Sequence, residues 1–136
     1  MAQHNELGKN GEIIAYRHVT QQLKMRLLER NWRYKQWEID LIATDGEYIV
    51  IIEVKTRNMT TIVNAETAVD HKKKVHLCHA ADQYVRSRGL SIPVRFDVVS
   101  VYYNPSDQTY EVQYFPNAFQ AIPVWQQRNY KKYSYR

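Results

Sequence analysis

The sequence lacks the features of secreted, membrane-spanning and phosphate-loop proteins. Its one cysteine, Cys78, excludes an intrachain disulfide framework and indicates a reducing compartment. No apolar run approaches the roughly 18 residues of a transmembrane helix, and the polar N-terminus has no secretory h-region. We therefore expect a cytoplasmic protein without a membrane partner. The chain has only four glycines, with no glycine-rich phosphate loop and no internal repeat.

Positive charge exceeds negative charge. The chain carries 19 Lys and Arg against 14 Asp and Glu, a net charge of +5, which favours a polyanionic partner such as nucleic acid. Its 136 residues suffice for one compact domain with one core. A change of composition divides the chain into an expected domain, 1–116, and a basic aromatic tail, 117–136.

The strongest local signal is a hairpin. Two β-rich runs, Trp37–Thr44 and Glu47–Arg57, flank an Asp-Gly pair at 45–46, which is a typical hairpin turn. The run Tyr48–Ile52 is apolar on both faces and predicts a central, covered strand.

Period-2 alternation places side chains on the faces of this hairpin. In the first strand, we expect Asp40 on the face opposite to Ile39 and Leu41. In the second strand, Glu53 and Lys55 share a face. Charged residues that directly follow an apolar strand need a physical reason, because burying unpaired charge costs several kcal/mol.

A metal site is one such reason. Asp40 and Glu53 lie on adjacent strands and can converge, and with the backbone carbonyl of Val54 they form the hard oxygen site that suits Mg²⁺ or Mn²⁺. Lys55 can then hold or deprotonate a water beside the metal, whose pKa the metal lowers. The alternative is an ordinary ion pair between Glu53 and Lys55.

The residues resemble a known motif and a known family. Asp40 followed by Glu53-Val54-Lys55 resembles the PD-(D/E)XK nuclease motif. A larger ordered set within residues 5 to 115 resembles the bacterial YraN, or UPF0102, family; it comprises Gly11-Glu12, Asn31-Trp32-Arg33, Glu38-Ile39-Asp40-Leu41-Ile42-Ala43, Glu53-Val54-Lys55-Thr56-Arg57 and Arg95-Phe96-Asp97-Val98-Val99. Trp37 stands where family members usually have glycine. The resemblance implies a fold like that of Holliday-junction resolvases, nuclease activity, and a role for Glu12 as a third acid near the metal.

The remaining elements follow from periodicity. Apolar spacing predicts a helix over 5–24, in which Gly8 and Gly11 indicate very close packing. We further predict a strand over 25–34, a loop over 58–64, a helix over 65–88 capped by Gly89, and strands over 94–103 and 109–115. The order α-β-β-β-α-β-β predicts an α/β fold with a restriction-endonuclease-like core, a mixed central sheet with flanking helices.

Basic residues provide a candidate nucleic-acid surface. The second helix begins with lysines, a placement that opposes the helix dipole and needs compensation, for which phosphate is one candidate. The alternative is a solvated helix face. The candidate contacts are Lys72, Lys73, His76, Arg57 and Arg33. The tail interleaves aromatic and basic residues, which suits single strands or distorted duplexes; packing on its own domain or disorder are the alternatives.

We expect a metal-dependent, DNA-binding nuclease-like protein that acts on branched or damaged DNA, with a homodimer as one assembly. The catalytic residues are predicted to be Asp40, Glu53, Lys55 and Glu12. Two alternatives remain: a nucleic-acid-binding module that keeps the fold without cleavage, and an interaction subunit of a DNA-processing complex that docks through its tail.

Overall fold

A computed structural model describes residues 2–59 and 69–122. Within these residues the order of elements is α-β-β-β-α-β-β, with a π-helical turn, His18–Gln22, after the first helix. The helices are α1 (Ala2–Arg17) and α2 (His71–Ser87); the strands are β1 (Arg26–Tyr34), β2 (Trp37–Thr44), β3 (Ile49–Asn58), β4 (Val94–Asn104) and β5 (Thr109–Phe119). Neither of these two helices is long and apolar enough to cross a membrane.

The strands form one mixed sheet in the order β1-β2-β3-β4-β5. β3 and β4 are parallel, from Ile49↔Val94 to Asn58↔Tyr103, and the other neighbours are antiparallel. The parallel pair requires a crossover connection, and α2 lies between β3 and β4 in the chain. The predicted α/β class with a mixed central sheet is confirmed, and the architecture is compatible with a restriction-endonuclease-like fold.

A hydrophobic core lies on each face of the sheet. On the α2 face, buried residues such as Ile51, Val75 and Val98 pack together. On the α1 face, Ala15 and the buried side chains of β3 and β4 form a smaller cluster. Ile49–Ile52 are buried on both sides, which confirms the prediction of a central, covered strand. The two layers hold β3, and therefore Glu53 and Lys55, at the middle of the sheet.

The hairpin turn forms where the Asp-Gly pair predicts it. The Asp45 carboxylate accepts hydrogen bonds from the backbone N–H groups of Glu47 and Tyr48, at 2.9 and 2.8 Å. Gly46 has φ +96°, a conformation that glycine adopts without the steric cost of a Cβ atom. The turn fixes the register in which β2 and β3 pair.

Helix α1 approaches the sheet closely at one of its two glycines. A Cβ atom at Gly11 would lie 2.1 Å from Oγ1 of Thr56 on β3, whereas nothing lies within 4 Å of such an atom at Gly8. Close packing on the sheet is therefore confirmed for Gly11 and wrong for Gly8; the alternative, close approach to the backbone of a ligand, stays a prediction for Gly8. The helical segment runs to Gln22 through the π-helical turn, and the chain leaves it at Lys24, which has φ +59°.

Helix α2 begins later than predicted and ends as predicted. Residues 65–68 lie outside the described part of the chain, and Val69 and Asp70 are not helical. Asp70 is the N-cap, and its Oδ1 accepts the backbone N–H of Lys73 at 2.8 Å. At the other end, Gly89 has φ +61° and its N–H donates to the carbonyl of Arg86, a glycine-terminated C-cap.

Strand β5 is longer than the sequence predicts. It continues to Phe119, past the boundary expected after residue 116. Phe119 and Ile122 are both buried in the α2-side core, and the N–H of Ile122 donates to Sγ of Cys78 at 3.5 Å. Cys78 is thus a core residue of α2. The basic and aromatic residues of the tail after residue 122, and the predicted loop from residue 60 to 64, lie outside the described residues.

Candidate active site

The alternation of β2 breaks at Asp40. Ile39 and Ile42 both lie in the α2-side core, whereas Leu41 and Ala43 lie in the α1-side core. The expectation that Ile39 and Leu41 share a face is therefore wrong. Residues three apart occupy one face only where a strand leaves regular pleating, so β2 is distorted at the position of the first acid.

A side-chain hydrogen bond lies at the point of distortion. Paired residues of β2 and β3 extend from Thr44↔Ile49 to Leu41↔Ile52 and stop there. At the next position, Oδ2 of Asp40 accepts the backbone N–H of Val54 at 2.8 Å. A side-chain carboxylate thus replaces a strand carbonyl as the acceptor, and the two strands separate at this point. The register of the pairs before this point, continued by one residue, places Asp40 opposite Glu53.

Glu53 is a buried acid with an acidic partner. Its exposed fraction is 5%, and it forms a side-chain hydrogen bond with Asp40. Burial, that hydrogen bond and the negative charge of Asp40 raise the pKa of Glu53 to about 8, against smaller lowering effects of Lys73 and Lys55. Two carboxylates this close cannot both ionise without large repulsion, so the pair holds a proton at neutral pH.

Two lysines from different elements face this acid pair. Lys55 follows Glu53 by two residues on β3, and its positive charge acts on Glu53. Lys73, from the first turn of α2, places its Nζ 3.4 Å from Oε2 of Glu53. This contact lacks hydrogen-bond geometry, since Oε2 of Glu53 has no hydrogen-bond partner. Lys73 therefore has an acidic partner within the protein, and the carboxylate of Asp70 caps the same helix.

Glu12 approaches the pair from the α1 face. Burial and the charges of Asp40 and Glu38 raise the pKa of its carboxyl group, and Arg30 lowers it. Glu12, Arg30 and Asp40 line a small cleft together with Asn31, Leu41 and Val54. Within residues 2–59 and 69–122, however, no three His, Cys, Asp or Glu side chains are grouped closely enough to hold one metal ion. Glu12 is thus a neighbour of Asp40 and does not complete a three-acid cluster.

Asn31 is a residue of the site to which the sequence pattern assigned no role. It lies in β1 with φ +50°, between the pairs Arg30↔Leu41 and Trp32↔Ile39, and therefore opposite Asp40. Asparagine is the non-glycine residue that best tolerates this left-handed conformation. The signal that could have identified it is an asparagine within a run that otherwise favours a strand.

Comparisons with known proteins agree on one family. The model of "Uncharacterised protein family UPF0102" matches residues 11–101. A UPF0102 protein of Porphyromonas gingivalis is 35% identical over 129 residues, which is 95% of each chain. A UPF0102 protein of Flavobacterium johnsoniae is 36% identical over 88% of this chain and 98% of its own, and one of Bacteroides thetaiotaomicron is 41% identical over 74% and 83%.

The chain belongs to the UPF0102 family. The region that matches the UPF0102 model begins at Gly11 and ends at Val101, so it contains the acid pair, both lysines, Glu12 and Asn31. The resemblance to this family that the sequence suggests is thereby confirmed.

The residues predicted to bind nucleic acid occupy different places in this UPF0102 protein. Lys72 is exposed at the start of α2, and Arg57 is half-buried near the end of β3. Arg33 forms an exposed ion pair with Glu38 at 3.2 Å. Lys73 contacts Glu53 of the acid pair. Burial and the charges of Lys72 and Lys73 lower the pKa of His76.

The Arg95-Phe96-Asp97 segment of β4 forms a hydrogen-bond network around a buried carboxylate. Asp97 is fully buried and accepts two hydrogen bonds from the Arg95 guanidinium, both at 2.9 Å. It also accepts the Tyr114 hydroxyl and the backbone N–H of Asn117. Arg95 reaches Asp45 in the hairpin turn at 3.1 Å as well. The network ties β4 to β5 and to the β2–β3 turn, which makes it structural.

Proposed function

We propose that this protein is a divalent-cation-dependent nuclease that hydrolyses phosphodiester bonds of DNA. The observation that carries the proposal is the pair of Asp40 and Glu53, held together where β2 and β3 separate. Membership of UPF0102 is compatible with this function and does not specify it. Branched or damaged DNA in the cytoplasm is the proposed substrate.

The acid pair has the chemistry of a site for Mg²⁺ or Mn²⁺. Both cations prefer oxygen ligands, carboxylates above all. Glu53 has a buried oxygen without a hydrogen-bond partner, and the pair retains a proton that a cation would replace. Asp40, Glu53 and the carbonyl of Val54 would hold the ion. When bound, it would lower the pKa of a water and stabilise the charge of the phosphorane.

The other residues of the site have separate roles in this proposal. Lys55 would donate hydrogen bonds from Nζ to the attacking water or to an oxygen of the scissile phosphate. Its charge would matter most where extra negative charge develops in the transition state. Glu12, which lines the same small cleft as Asp40, would hold a water beside it.

The basic surface would bring DNA to this site. Lys72 is exposed at the beginning of α2, one residue before the lysine that contacts Glu53. A phosphate bound there would lie next to the acid pair. The net charge of +5 adds a long-range attraction to a polyanion.

A second candidate is a DNA-binding module that does not cleave. It is favoured by the neutralisation of Glu53, which a proton and Lys73 already provide within the protein. In that case the acid pair would be an internal structural contact, and cation binding would be absent.

A cleavage screen tests the proposal against this alternative. Duplex, flap, four-way-junction and single-stranded DNA are incubated with the protein and Mn²⁺ or Mg²⁺. We expect one of these substrates to be cut, and Lys55→Met to reduce the rate by on the order of 10²-fold, as removal of one preorganised donor does, with DNA affinity within a few-fold of wild type. Lys35→Met, a lysine of the β1–β2 turn, is the matched control. Binding of DNA without cleavage under both metals would favour the non-cleaving module.

A further inference from the structure

Lys73 is placed at the acid pair by its own helix. The cap of α2 fixes its backbone, because its N–H donates to Oδ1 of Asp70 at 2.8 Å. From this position its side chain reaches Glu53 on β3, with Nζ 3.4 Å from Oε2. The contact therefore joins α2 to the strand that carries the candidate site.

The two partners of this contact differ in exposure. The side chain of Glu53 is 6% exposed and that of Lys73 is 37% exposed. The ammonium group thus lies between a buried carboxylate and solvent. The oxygen it faces has no hydrogen-bond partner, and the 3.4 Å contact itself lacks hydrogen-bond geometry, so little geometric constraint holds the ammonium in place.

We infer that Lys73 is the resident cation of the acid pair, and that a divalent cation displaces it from Glu53. The inference rests on the proposed function, because it assumes that Asp40 and Glu53 receive such a cation. An ammonium and a divalent cation at the same carboxylate oxygen repel each other by Coulomb's law. The lysine side chain is flexible and strongly hydrated, so it moves to solvent at small cost.

Displacement gives Lys73 a second role. Its freed ammonium remains on the first turn of α2, next to the exposed Lys72. It would then be available to a phosphate of the substrate. Cation binding would thereby add one positive charge to the proposed DNA-binding surface, so the protein would bind DNA more tightly once the cation is present.

Lysine-specific labelling tests the displacement directly. The lysines of the intact protein are reductively methylated with ¹³C-formaldehyde, which keeps their charge, and their resonances are followed during titration with Mg²⁺. The Lys73 resonance is identified by its absence in Lys73→Arg. We expect it to differ from those of exposed lysines without Mg²⁺ and to move towards them as Mg²⁺ is added. The Lys72 resonance is the internal control and should stay at its original position.

Calorimetry provides a second measurement that does not depend on activity. In a buffer above the pKa of about 8 that Glu53 has in wild type, Lys73→Met should bind Mn²⁺ about 10-fold more tightly than wild type, since it has no ammonium to displace. The control Lys72→Met removes the same charge from the same helix turn and should change affinity by less than about 2-fold, because exposed charges are screened.

The outcomes separate the two claims. Mg²⁺ binding with an unmoved Lys73 resonance, or equal Mn²⁺ affinity in Lys73→Met and Lys72→Met, would overturn the displacement and leave the proposed cation site intact. A wild-type protein that binds neither ion would overturn the proposed function and the displacement together.

Discussion

Oδ2 of Asp40 accepts the backbone N–H of Val54 at 2.8 Å, where the regular pairing of β2 and β3 would otherwise continue. This hydrogen bond makes the carboxylate part of the sheet. It also places Asp40 against Glu53, the residue that precedes Val54. The acid pair therefore lies at the point where the regular pairing of β2 with β3 ends.

The raised pKa of Glu53 predicts a pH-dependent stability. The folded protein holds a proton on Glu53 up to a pH of about 8, whereas the unfolded chain loses it near the ordinary value of 4.5. Since the folded state binds more protons in this window, the free energy of unfolding should fall as pH rises through it, by up to about 1.4 kcal/mol per pH unit. Urea denaturation of the metal-free protein at a series of pH values measures this slope.

Glu53→Gln is the control for that slope, because it removes the titrating group and keeps the size of the side chain. The difference in unfolding free energy between wild type and Glu53→Gln isolates this residue from the histidines and other acids. Parallel pH profiles for the two proteins would show that Glu53 has an ordinary pKa.

Because α1 approaches β3 closely at Gly11 but not at Gly8, replacing each glycine by alanine should change the stability of the protein in opposite directions. Gly11→Ala would place a methyl group 2.1 Å from Oγ1 and 2.9 Å from Cβ of Thr56, and overpacking of this kind costs about 1–3 kcal/mol. Gly8→Ala meets nothing within 4 Å and should stabilise α1 by roughly 1 kcal/mol through helix propensity. Thermal denaturation of the two variants measures both changes. A Gly11→Ala protein as stable as Gly8→Ala would mean that the helix can move away from Thr56.

The Asp97 network predicts a large structural effect without an effect on the acid pair. Asp97→Ala removes a buried carboxylate that accepts hydrogen bonds from Arg95, Tyr114 and Asn117, whereas Arg95 keeps its contact with Asp45 at 3.1 Å. The loss of these hydrogen bonds to a charged group should cost about 3 kcal/mol. Tyr114→Phe removes one hydrogen bond to the same carboxylate and should cost about 1 kcal/mol. Chemical denaturation of both variants measures these differences. A folded Asp97→Ala protein that has lost Mn²⁺ binding would assign the network to the site instead.

The sequence predicted the hairpin, the central strand and the two acids because each depends on local patterns. An apolar run, a turn pair and alternation suffice to place Glu53 and Lys55 on one strand. The position of Leu41 could not be predicted, because alternation assumes regular pleating and β2 is irregular at Asp40. The contact between Lys73 and Glu53 joins elements far apart in the chain. Lys73 lies on α2, and α2 begins at the cap formed by Asp70. The sequence pattern predicted a start at residue 65 and did not reveal this boundary.

Calorimetric titration with Mn²⁺ tests most directly whether Asp40 and Glu53 form a cation site. We predict that wild type binds Mn²⁺, and that Asp40→Asn and Glu53→Gln each lose most of the binding, since hard cations depend on charged oxygen ligands. Glu38→Gln is the matched control: it removes an acid of β2 that is paired with Arg33 and should keep most of the affinity. Equal Mn²⁺ affinity in wild type, Asp40→Asn and Glu53→Gln would contradict the account.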